Sequence, residues 1–174
     1  MKRRQFATAA AVLAIPFLAI ALSAQGNNGP NAAWKQNTAK STCTVAGPGG
    51  TCGAAPQVPT TRKMEDIGGG LIRISNDGVN AMGQRTGNRI VARRDGQEYP
   101  IAAMNQPGYV VIAFTVKSTT PWAADYITKL DGKLTSNATE TITADGKTMT
   151  TTIKNVNPQT GQPTTNVVQV WDRQ

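Results

Sequence analysis

Four Asp-Gly pairs, Asp77-Gly78, Asp95-Gly96, Asp131-Gly132 and Asp145-Gly146, separate stretches rich in Thr, Val and Ile. Asp-Gly supplies the positive φ angles that a tight hairpin turn requires, so a chain punctuated in this way is expected to fold as an antiparallel meander. Strands are predicted near residues 60–66, 70–76, 79–84, 87–94, 109–118, 124–131, 133–144, 147–155 and 165–172. Alternation is clearest in the fifth of these, where Val110, Ile112, Phe114 and Val116 share one face and should enter the core. Further on, Met149, Thr151 and Ile153 share a face, and Thr148, Thr150 and Thr152 occupy the other, which suits a solvated strand surface. Apart from a short turn around Trp122 to Asp125, no stretch carries a helical period. Evenly spaced strands joined by local hairpins predict an all-β fold, an antiparallel up-and-down meander of about eight strands closed into a barrel.

The N-terminus reads as an export signal. Lys2, Arg3 and Arg4 form a basic head, Ala9 to Ala21 an apolar run, and Ser23-Ala24 a small-residue cleavage site before Gln25. Arg3-Arg4-Gln5-Phe6 also resembles a twin-arginine signal, which would carry the protein across the membrane already folded. The expected organisation is a signal peptide over residues 1–24, a flexible leader and disulfide-tied segment over 25–59, and a barrel domain over 60–174. The expected location is the periplasm or the external medium.

Cys43 and Cys52 enclose a glycine-rich loop, and export would bring them into a compartment where a disulfide persists. Eight intervening residues do not fit a Cys-x-x-Cys redox pair, and the chain has no histidine to complete a zinc site. A bridge closing about ten residues contributes roughly 2.5–3 kcal/mol by the chain-entropy estimate.

Signal cleavage would take three of the 18 basic residues and none of the 10 acidic ones, leaving a net charge near +5. That favours weak contact with anionic envelope surfaces. The basic residues are scattered without the stacking aromatics a nucleic-acid site needs, so no nucleic-acid partner is expected.

The ordered set Trp34-Lys35-Gln36-Asn37-Thr38-Ala39-Lys40-Ser41, Asp95-Gly96-Gln97-Glu98-Tyr99-Pro100 and Asp145-Gly146-Lys147-Thr148 resembles a functionally uncharacterised family of small secreted bacterial proteins. Its members read W-K-x-N-x-A-K-S, D-G-x-x-Y-P and D-G-K-T in this order. The resemblance implies a lipocalin-like barrel opened by a tryptophan, and a secreted location. Ala32-Ala33-Trp34 lacks the glycine that precedes this tryptophan in lipocalins proper, and the Cys43 to Cys52 insertion departs from the family pattern.

The lack of histidine removes a Ser-His-Asp triad and the usual neutral-pH proton shuttle, and no catalytic residue or cofactor is expected. Four of the acids are accounted for by the Asp-Gly turns. Glu140 stands apart. Strict alternation would place Leu134, Ser136, Ala138, Glu140 and Ile142 on one face and turn the carboxylate inward, where it would need a basic partner, a raised pKa or a ligand. A bulge that flips the register would instead leave it in solvent. Trp122, Tyr126, Tyr99 and Tyr109 are the aromatics nearest the expected loops and, with Glu140, the candidate ligand contacts, with Ile112 and Phe114 as a floor. Trp122, in a Pro-flanked loop, could also be core.

Two functions from different classes follow. One is a monomeric, non-enzymatic exported barrel that binds a small apolar or amphipathic molecule. The other is a structural or interaction protein of the cell envelope with a filled barrel. An enzyme built on Glu140, Glu98 or Asp125 with a tyrosine is a third.

Overall fold

The computed structural model describes residues 29–53, 58–80, 82–103, 110–119 and 122–174. The expected signal peptide and Tyr109 lie outside the described residues. Eleven strands follow one another: β1 (Ala33–Gln36), β2 (Thr42–Val45), β3 (Val58–Gly68), β4 (Leu71–Val79), β5 (Arg85–Arg93), β6 (Asp95–Ala103), β7 (Val110–Thr119), β8 (Trp122–Leu130), β9 (Lys133–Ile142), β10 (Thr148–Val156) and β11 (Pro163–Arg173). From β3 to β11 each pairs antiparallel with the next, and β1 bridges β3 and β11, closing a ten-stranded up-and-down barrel. The barrel is thus lipocalin-like in its meander and larger than the eight strands expected.

The extra strands come from segments that lack a strand composition. β1 falls in the leader segment expected to precede the barrel, yet Trp34 pairs with both Arg62 and Arg173 and completes the wall. β6 contains Gln97, Glu98 and Pro100 and holds β5 over only Asn88–Ile90. β2 shares with β1 one edge of β11, pairing Thr42–Val45 with Thr165–Val168. Between β1 and β2 the chain jogs outward at Asn37, whose carbonyl accepts from the Ser41 amide at 3.0 Å and whose side-chain amide donates to Asp172 at 2.8 Å. Cys43 of β2 is bonded to Cys52, as expected. Among the described residues no ladder joins β2 to β3.

Two of the turn assignments behave differently. Asp131-Gly132 makes the tight β8–β9 turn, with φ of 50° and 78°, the conformation for which this pair was singled out. Asp77-Gly78, in contrast, lies inside β4, paired with Gly87 and Thr86. A Cβ on Gly78 would stand 3.0 Å from Thr60 Oγ1 and 3.2 Å from Thr86 Oγ1, so glycine serves lateral crowding here and not a turn. The reversal falls instead at Asn80–Gln84, where the Asn80 carboxamide oxygen accepts from the Met82 and Gln84 amides.

The apolar core is concentrated at one end, where β3–β4, β5–β6 and β9–β10 connect. Trp34, Met64, Ile72, Ala92, Phe114, Trp122, Ile142, Met149 and Trp171 fill it. Toward the opposite end, where Asn80–Gln84, Asp131-Gly132 and Asn157–Gln162 turn, the filling gives way to a cavity.

Candidate functional site

Glu140 sits at the boundary between plug and cavity and is 0 % exposed. Strict alternation holds from Ser136 to Ile142, so the carboxylate points inward. A bulge does occur earlier in the same strand, at Thr135, where β9 slips one residue against β8 between Thr128 and Lys129, and the alternation resumes before Glu140. Four donors surround the carboxylate. Arg62 Nη1 donates to Oε2 at 2.6 Å and Thr151 Oγ1 to the same oxygen at 3.3 Å. Tyr126 Oη donates to Oε1 at 2.7 Å and Trp122 Nε1 to it at 3.4 Å. A buried carboxylate is tolerated only when its charge is paired and its lone pairs are occupied, and this one meets both conditions.

Arg62 is held as firmly as its partner. Its guanidinium lies 4.7 Å from the centre of the Trp171 ring, and Nε donates to Asn76 Oδ1 at 2.8 Å. Asn76 in turn donates to Asn88 Oδ1 at 2.7 Å. The chain of contacts therefore runs from β9 through β3 and β4 to β5, across the barrel interior. The planar guanidinium suits this place because it can stack on an aromatic face and hydrogen-bond through its edge at once.

Tyr126 is buried beside this pair. Burial above all, and then the Glu140 charge, push its phenol well above the ordinary value of 10.0. The folded protein therefore holds this proton more tightly than the unfolded chain does. The associated stability is complete below about pH 10, the unfolded value, and is lost as pH rises from there toward the folded pKa. An ultraviolet titration of the native protein is expected to show one phenol that ionises only on unfolding, and Tyr126→Phe should abolish that late phase. A phenol count that titrates fully in the native state would overturn the assignment.

Above the ion pair opens a cavity of about 260 Å³. Ile74, Ile90, Ile101, Val110, Ile112, Leu130 and Ile153 supply its walls, and Arg62, Tyr126 and Thr151 its floor, with Asn76, Asn88, Thr128 and Ser136 adding polar groups. A second hollow of about 540 Å³ lies under β2 and the disulfide, and its Thr60 and Asn155 stand one inward position beyond Arg62 of β3 and Ile153 of β10, which line the first.

The expected ligand residues are thus only partly brought together. Tyr126 lines the cavity floor, and Glu140, which lies outside the lining, accepts its hydroxyl at 2.7 Å. Trp122 is the first residue of β8 rather than a loop residue, is 2 % exposed, and belongs to the plug. Tyr99 is half-buried against the core, with its hydroxyl on Asp95 Oδ2 at 2.9 Å, and lies outside the cavity lining. Phe114 lies in the plug beneath Tyr126, ring centres 4.5 Å apart, so the floor is polar where an apolar one was expected. Glu98 and Asp125 pair with Lys129 and Lys117 on the outer surface and do not converge on Glu140. Arg62, Asn76 and Asn88 were not singled out, although each continues an inward alternation, Arg62 from Met64, Asn76 from Ile72 and Ile74, and Asn88 from Ile90 and Ala92.

No protein family, curated protein or solved structure matches this chain.

Proposed function

We propose that this protein is an exported, non-enzymatic barrel that binds a small amphipathic molecule in the open-end cavity, acting as a monomer. The observation that carries the reading is the contrast within one cavity: isoleucine, valine and leucine walls above a floor of fixed polar groups. Small-molecule sites have this character, apolar for affinity and sparsely polar for orientation. The Cys43–Cys52 bridge is compatible with export to the periplasm or beyond. Glu140 is a structural hub in this reading, because its oxygens are already engaged by four donors and have no free lone pair with which to act as a base.

Native mass spectrometry of protein purified from its source, followed by titration with an apolar fluorescent probe, tests the proposal. A co-purifying small molecule, or saturable probe binding that Ile112→Trp abolishes without unfolding, is the expected result. Absence of both would favour the filled, structural barrel of the cell envelope.

A further inference from the structure

The larger hollow differs in chemistry from its neighbour. The side chains that matter are Gln36, Thr60, Asn155, Thr165 and Gln169, all neutral and all capable of hydrogen bonding. Gln36 is 8 % exposed, yet among the described residues its carboxamide has no hydrogen-bond partner, and it opens into this hollow. The Gln169 carboxamide, two inward positions from Thr165 along β11 and half-buried, is likewise without a hydrogen-bond partner among the described residues. Asn155 donates to Thr165 Oγ1 at 2.9 Å and so is already engaged. Neither carboxamide is sealed away, so both are free to bond water or a bound molecule in the hollow.

Taking the amphiphile-binding reading as its basis, we propose that this hollow is the subsite for an uncharged, hydroxyl-rich head group, while the apolar part of the same molecule lies against the isoleucine walls. Two features select this class. A carboxamide offers both donors and an acceptor, which matches hydroxyl groups that also do both. The charge balance then argues against an anion. The lining of the hollow carries no charged side chain, and Arg62, the one charge lining the neighbouring cavity, is already paired with Glu140 at 2.6 Å, so an incoming carboxylate would meet no free cation in either lining, and an unpaired buried charge is costly.

Octyl glucoside, monooctanoyl glycerol and octanoate, titrated by calorimetry below their micelle-forming concentrations, carry the same tail on a sugar, a glycerol and a carboxylate. At least one neutral ligand is expected to bind tenfold or more tightly than octanoate, about 1.4 kcal/mol, with little dependence on ionic strength. Which of the two neutral heads binds more tightly distinguishes a glycoside from a glycerolipid source. The double substitution Gln36→Leu with Gln169→Leu should erase this preference while leaving the apolar probe bound. Octanoate binding as tightly as both neutral ligands overturns the proposal, as does a preference that survives the double substitution in folded protein. If that variant does not fold, the wild-type ranking and its salt dependence decide alone. Binding of the apolar probe with no head-group preference sinks this inference and leaves the amphiphile reading standing, whereas no binding of any probe removes both.

Discussion

Arg62→Ala is expected to lower folding stability by about 3–5 kcal/mol, the range seen when one partner of a buried ion pair is removed. The size follows from what remains. Glu140 is fully buried and loses its countercharge, and the three neutral donors that stay, Tyr126, Thr151 and Trp122, do not replace it. Arg62 also takes with it the contact on the Trp171 face and the hydrogen bond to Asn76. Combining Arg62→Ala with Glu140→Gln should restore much of the loss. The substituted carboxamide keeps an oxygen for Tyr126 and Trp122, and its nitrogen can donate to Thr151 Oγ1, so no buried charge is left alone. Urea denaturation of the two single variants and the double variant gives the coupling energy directly. A cost below about 1 kcal/mol for Arg62→Ala would equal that of a typical surface pair and would show that the pair does not anchor the interior.

How this interior was legible in the sequence depends on the length of each signal. Where apolar residues alternate over four or more positions, as in Val110 to Val116, the inward face was evident and the strand was found. Glu140 was reached by the same alternation, but a single polar residue on an apolar face is equally well explained by a bulge. Only its partner resolves this, and that partner lies 78 residues away on β3. Arg62 is masked in the sequence because it stands beside Lys63, and an adjacent basic pair reads as a solvated face. The two residues point to opposite sides of β3, one onto Trp171 and one outward to Glu65. β1 and β2 are four residues each and flanked by glycine or turn residues. Their strand character comes from the edges of β3 and β11 that they cover, a tertiary effect that local composition does not carry. Asp77-Gly78 does not make a turn for a related reason, since it pairs with Gly87 and Thr86 in mid-strand, where a Cβ on Gly78 would crowd the Thr60 and Thr86 hydroxyls.

Trp122→Ala should be as damaging as Phe114→Ala, each costing about 3–5 kcal/mol as a large aromatic is removed from a packed interior. A residue in a Pro-flanked loop would have been dispensable for folding and important for binding, and the opposite is expected here. The Trp122 ring is buried with its centre 6.2 Å from that of Phe114, and its indole nitrogen is one of the four donors to Glu140. Arg94 adds a further term. Its guanidinium lies 5.0 Å from the ring centre, and its Nε and Nη2 are buried without a hydrogen-bond partner among the described residues, so the ring face is the favourable contact this cation has. Truncation to alanine removes that face as well as the packing. Trp122→Phe separates the contributions, because it keeps a ring beneath Arg94 and most of the volume while deleting the N–H. It should cost clearly less, about 1–2 kcal/mol, of which a lost hydrogen bond to a charged acceptor accounts for most. Since Trp122 does not line the cavity, folded Trp122→Phe should bind the apolar probe as the wild type does. Urea midpoints together with probe affinity read both quantities in one set of samples. If Trp122→Ala left stability nearly unchanged but abolished probe binding, the tryptophan would belong to the mouth of the barrel, and its place in the plug would have to be given up.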